Sequence, residues 1–318
     1  MFTPDQSSLE TLNPRVVYQP PGPCIREELS YVVRNDGLQL AFRVTGDPDG
    51  KVVCFSMHGT PSCRRDSFPD QDKVLRELGI RHIAYDRPGF GGSNRRPSRR
   101  VVDCAEDVAT IADALDVDHF WISGRSGGGP HALACAAVMP DRVDRALIMA
   151  SPAPKSETND EDWFKGMTAA NKADAKAPDI VSAVSISFRP NKIRADDDYW
   201  LKVLEPAMHE TDRRVLGNLA LRKLIAAAHF EAVVWGHGGW VDDHVALRKP
   251  WGFKLRDVEV PVYIWHGEQD VFNPITHAEI VVKKLIHAPV VYTRAPNAGH
   301  FSAFEVYPDL LTKMMQES

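Results

Sequence analysis

Three residues of this chain have the types and positions to act together as a nucleophile, a base and an orienting acid. The hydroxyl is Ser126, inside Gly124-Arg125-Ser126-Gly127-Gly128. It follows the apolar run Phe120-Trp121-Ile122 and precedes the helix-like segment Pro130-His131-Ala132-Leu133-Ala134-Cys135-Ala136-Ala137-Val138. In a strand, sharp turn and helix, a G-x-S-x-G pentapeptide lifts its serine clear of the sheet, at the positive end of the following helix. A serine hydroxyl is a poor nucleophile and needs a base. The base needs an acid to fix its tautomer and stabilise its cation. His300, in Asn297-Ala298-Gly299-His300, is the candidate base, and Asp270, in His266-Gly267-Glu268-Gln269-Asp270, the candidate acid. Each lies just past an apolar run, so three loops converge on one sheet edge in the chain order Ser, Asp, His.

The elements that must carry these residues alternate. Two runs around Asn35-Asp36-Gly37 read as a hairpin, and Val52-Val53-Cys54-Phe55-Ser56-Met57 as a strand covered on both faces. Helical and strand patterns then take turns up to the strand Val143 to Ala150, which predicts an α/β fold with a doubly wound, mostly parallel sheet. Residues 155–249 carry helical stretches (Glu161 to Lys176, Asp179 to Phe188, Asp197 to His209, Asp212 to Phe230) and no convincing strand. They read as an inserted helical cap over the carboxyl ends of the strands, where ligands bind in open α/β sheets. The division is an irregular, proline-rich arm at 1–26, a core at 27–154 and 250–318, and the cap at 155–249.

Composition narrows the function. A net charge of −5, with both signs mixed along 318 residues, points to neither nucleic acid nor an anionic membrane. The densest basic run, Arg95-Arg96-Pro97-Ser98-Arg99-Arg100, reads as a solvated loop entering a helix. There is no apolar run of transmembrane length and no basic-then-apolar start. Five scattered cysteines match no metal spacing, and a reducing cytoplasm is expected.

The four motifs in this order resemble the α/β-hydrolase superfamily, in its capped, proline-iminopeptidase-like and esterase-like branch. The resemblance covers about residues 30 to 155 and 255 to 318. It implies an oxyanion hole formed by the backbone N–H groups of Gly127 and Thr60, the latter in His58-Gly59-Thr60-Pro61. His58 and Gly59 would shape that turn. The Thr60 hydroxyl could also reach the site, where many relatives carry a large apolar residue. Arg125 could meet a substrate anion, although an ion pair with a nearby acid is the simpler reading. Asp86 and His266 read as turn residues, and Trp163, Trp200, Trp235, Trp240 and Trp251 as core of the insert. Gly236-His237-Gly238-Gly239 reads as a hinge, and Glu157, Asp160, Glu161 and Asp162 as a solvated helix start.

The expected activity is hydrolysis of an ester, lactone or amide of a small or medium-sized molecule, without metal or cofactor. The oligomeric state is left open. The rivals are an aminopeptidase for N-terminal proline, a lyase or cyclase on the same triad, and a ligand-binding receptor on the same fold.

Overall fold

Successive residues of a strand face opposite sides of its sheet, and four central strands here divide their side chains in this way. Phe55, Ile122, Ile148 and Ile264 enter one apolar cluster, while Cys54, Trp121, Leu147 and Tyr263 enter the other. A sheet apolar on both faces must be covered on both, which is what helices between parallel strands accomplish. The computed structural model describes residues 17–18, 29–176 and 198–317.

The strands are β1 (Val17–Tyr18), β2 (Ser30–Val33), β3 (Gln39–Gly46), β4 (Val52–Met57), β5 (Ile80–Tyr85), β6 (Phe120–Arg125), β7 (Val143–Met149), β8 (Val262–Gly267) and β9 (Val290–Ala295). They form one sheet in the order β1-β2-β3-β5-β4-β6-β7-β8-β9. From β5 to β9 all neighbours are parallel, and β1, β2 and β3 run antiparallel at one edge. The expected hairpin forms with Gly37 at φ 83. Of the arm, Val17 and Tyr18 pair with Tyr31 and Ser30, so this piece extends the sheet. Most of the arm lies outside the described residues.

Helix α1 (Gln71–Glu77) and helix α2 (Cys104–Ala114) flank the first half of the sheet, and α3 (Gly128–Val138) follows β6. The insert contributes α4 (Asp160–Phe164), α5 (Ala169–Lys176), α6 (Tyr199–Leu204), α7 (Glu210–Leu216), α8 (Leu219–Ala232) and α9 (Gly238–Arg248), and no strand among the described residues. The expected helix at Asp179 to Phe188 lies outside them. Two expected helices are broken. Gly166, at φ 90, separates α4 from α5. Asn218 starts α8 by accepting the N–H groups of Ala220 and Leu221.

The insert does not stand apart. Leu201, Val215, Leu216, Leu221 and Ile225 pack into the same cluster as α11 (Ala303–Gln316), which follows β9. Helix α10 (Ile275–Lys284) covers the other face. The glycine run before α9 is a close docking point rather than a hinge, because a Cβ on Gly239 would stand 2.3 Å from the Gly89 carbonyl oxygen. Trp163, Trp240 and Trp251 are buried as expected, whereas Trp235 is 84% exposed. It sits after the end of α8 and before Gly236 at φ 113, a turn that carries it away from the core. The side chain of Trp200 is not among those described.

Candidate active site

Register brings the candidate residues to one edge. Arg125 pairs with Met149, Met149 with Trp265, and Trp265 with Thr293, so the residues just beyond them share a line across the carboxyl ends of β6, β7, β8 and β9. Ser126 is the first residue past β6. Its φ is 53, in the left-handed region that a non-glycine residue enters only when its surroundings impose it. Here the Ser126 N–H is held by the Met149 carbonyl and its C=O by the Gly129 N–H, at 2.9 and 3.0 Å. The flanking glycines are sterically required. A Cβ on Gly124 would stand 2.4 Å from the Gly128 carbonyl oxygen, and one on Gly128 2.1 Å from that of Met57.

Asp270 and His300 meet directly. Nδ1 of His300 donates to Oδ2 of Asp270 at 2.7 Å. The other carboxylate oxygen accepts the backbone N–H groups of Phe272 and Asn273, both at 2.9 Å. Burial alone would raise the Asp270 pKa. The charge and hydrogen bond of His300, with His266 and these N–H donors, outweigh it and hold the carboxyl below its ordinary value. With Nδ1 committed to Asp270, Nε2 is the ring nitrogen that remains. His266 lies inside β8 rather than in a turn, and its ring is satisfied structurally: Nε2 donates to the Asn273 carbonyl at 2.6 Å.

Thr60 and Gly127 are also brought together, since a Cβ on Gly127 would lie 2.3 Å from Thr60 Oγ1. The Thr60 hydroxyl, however, is already committed to other partners. It donates to Asp243 Oδ2 at 2.5 Å and accepts from Arg87 Nη2 at 3.0 Å. His58 has both ring nitrogens occupied: Nδ1 donates to the Gly59 carbonyl and Nε2 accepts the Arg87 N–H, at 2.8 and 3.1 Å. Burial and then the Arg87 charge hold its pKa well below the ordinary value, so the ring is neutral. Arg125 pairs with Asp66 at 2.9 Å, and its guanidinium lies 4.1 Å from the centre of the Phe304 ring. Gly59 lets that guanidinium pass, because a Cβ there would meet Arg125 Nη2 at 2.9 Å. Asp86 ties down its own loop through Arg64 and the Gly92 N–H.

The insert adds three acids that sequence reasoning passed over. Asp243, on α9, is fully buried between Arg87 and Arg99, each with a nitrogen 2.5 Å from its carboxylate. Asp242 beside it holds Arg95. The basic run at 95–100 is thus only partly solvated, and it docks the insert. Matching this run to the acid pair Asp242-Asp243 was a signal available in the chain. Asp212, on α7, reaches the loop that carries His300, and no spacing pattern marks it. Among the described residues, no group of three or more His, Cys, Asp or Glu side chains is disposed to hold a metal ion. No described helix is long and apolar enough to cross a membrane.

The alpha/beta hydrolase fold family model matches residues 56–306, and the chain belongs to that family. It is 28% identical over 260 residues to the bifunctional esterase/perhydrolase of Acinetobacter calcoaceticus, covering 77% of this chain and 84% of that protein. It is 23% identical over 277 residues to a non-heme chloroperoxidase of Burkholderia pyrrocinia, covering 81% and 88%. Among solved structures it is similar to an esterase from Exiguobacterium antarcticum, with a TM-score of 0.66 at 19% identity over 90% of this chain and 98% of that one. The family and these relatives support hydrolase activity in general terms.

Proposed function

We propose that the protein is a serine hydrolase that cleaves an ester, lactone or amide of a small or medium-sized molecule through an acyl-enzyme. Ser126 Oγ attacks the carbonyl carbon while His300 Nε2 takes its proton. Asp270 holds the resulting imidazolium through Nδ1 and stabilises its charge. The tetrahedral oxyanion is received by the backbone N–H groups of Gly127 and Thr60, each such donor being worth roughly 2.7–4 kcal/mol of barrier. His300 returns the proton to the leaving group. Water, deprotonated by the same imidazole, then attacks the acyl carbon and releases Ser126 and the acid.

The observation that carries this reading is the 2.7 Å contact between His300 and Asp270 at the sheet edge where Ser126 holds its left-handed backbone. An ester is favoured over an N-terminal proline peptide because three of the four acids that open the insert have other partners, Asp162 with Asn159 among them, and the fourth, Glu161, is exposed. Glu157 pairs with Lys254 and Lys284, and Asp160 with Lys155. The names of the relatives add hydrogen peroxide as a second acyl acceptor to examine, giving a peracid in place of the acid. The test is a stopped-flow panel of p-nitrophenyl esters, lactones and prolyl amides, with and without peroxide. A burst of one p-nitrophenolate per chain, followed by slower turnover, is expected with short acyl groups. Turnover of prolyl amides alone would replace this reading with the peptidase, and no burst and no turnover would overturn it.

A further inference from the structure

Asp212 sits near the start of α7, fully buried, where the insert meets the loop after β9. Its Oδ1 accepts the Phe301 N–H at 2.8 Å, which belongs to the peptide unit that joins His300 to Phe301. The chain wraps closely here, since a Cβ on Gly299 would stand 2.4 Å from Oδ1. Oδ2 has no hydrogen-bond partner. The base is therefore held at two points, at its ring by Asp270 and at the peptide that follows it by an acid that belongs to the insert.

We propose that Asp212 is a positioning residue for His300, so that the base is in register with Ser126 only while α7 is seated on its loop. This rests on the roles of Ser126 and His300 proposed above. A neutral carboxyl accepts N–H hydrogen bonds less strongly than a carboxylate, so the grip weakens on protonation. Burial, and then the Asp270 charge, raise the Asp212 pKa to about 6, against the opposing pull of the His300 charge and the Phe301 N–H. The titratable groups facing it from the packed loops are Asp270 and His300. On its own helix, Arg213 is turned to the Met208 carbonyl and Arg214 to Glu305 on α11, while His209 caps Thr211.

The test is the second-order rate of inactivation by a fluorophosphonate from pH 4.5 to 8.5, for wild type, Asp212→Asn and Asp212→Ala, with circular dichroism of each. The asparagine keeps an acceptor oxygen and removes the titration. The expected results are a loss of at least tenfold for Asp212→Ala at pH 8, and recovery to within about threefold for Asp212→Asn. The ratio of wild-type to Asp212→Asn rates should also change, from up to about three at pH 8 towards one at pH 4.5, because the protonated acid and the amide are both neutral acceptors. A rate for Asp212→Ala within twofold of wild type throughout overturns the proposal. If the alanine variant does not fold, the pH dependence of the ratio of wild-type to Asp212→Asn rates decides, and a ratio that is the same from pH 4.5 to 8.5 overturns it. Wild type that reacts while the variants are unaffected refutes the role of Asp212 alone. Wild type that never reacts refutes the underlying nucleophile as well.

Discussion

Replacing Asp243 by asparagine removes the one carboxylate shared by Arg87 and Arg99, whose side chains are 1% and 4% exposed, while keeping its shape. Arg87 retains the carbonyl oxygens of His58 and Gly59, and Arg99 that of Gly239, but neither retains a negative charge from Asp243. Breaking a buried ionic cluster by removing one partner costs about 3–5 kcal/mol. At roughly 2–4 °C per kcal/mol for a chain of this order of size, Tm should fall by about 6–20 °C. The Thr60 hydroxyl loses an anionic acceptor in the same change, so kcat should fall with stability. Burial, the largest single effect, would raise the Asp243 pKa, but the Arg87 and Arg99 charges, with His131 and the Arg87 hydrogen bond, together outweigh it and hold the pKa well below the ordinary value. Its contribution is therefore present above the unfolded carboxylate pKa of about 3.9 and lost only as pH falls through the lower folded value. The gap between variant and wild type should be flat from pH 5 to 8 and narrow below pH 4. Differential scanning calorimetry across that range, with Arg99→Gln and the double variant Asp243→Asn/Arg99→Gln beside Asp243→Asn, reads both effects. The double variant should recover at least about 1 kcal/mol, because one stranded charge is gone. A single variant within 1 kcal/mol of wild type, or a double variant worse by the full sum of the singles, refutes the account of Asp243 as the dock of the insert.

Asp270→Asn should leave the fold intact and lower kcat by about 10⁴-fold, as expected when the base is held in the wrong tautomer; steady-state ester hydrolysis with circular dichroism checks it. Gly127→Ala drives a Cβ to 2.3 Å from Thr60 Oγ1 and should reduce kcat far more than it raises KM, measured on the same ester. Burial holds His82 and His131 near pKa 3 and His229 and His277 near 4. The unfolded chain takes up these protons below about pH 6.5 and the folded one does not, so stability should fall as pH drops from 6.5 to 4, read by urea midpoints.

The fold was legible because its signals are local. The apolar run at Val52 to Met57, the turn residues at 35–37 and the glycines around Ser126 each dictate their own conformation. Asp270 and His300 could be paired in advance because each ends a predicted strand at the same edge. What escaped depends on partners distant in sequence. Asp212 looks like any acid in a first helical turn until α7 is laid against Gly299. The Thr60 hydroxyl looks available until α9 brings Asp243 to it. Trp235 reads as core by type, and only the turn at Gly236 sends it outward. Arg125 was open to two readings, and its partner Asp66 lies 59 residues away.

The central claim is that Ser126 is a nucleophile activated by His300 and Asp270, and intact mass after treatment with a fluorophosphonate tests it most directly. The account predicts one adduct on the wild type, mapped to Ser126 by peptide sequencing, and none on Ser126→Ala. An adduct that persists in Ser126→Ala, or a folded wild type with no adduct at all, would contradict it.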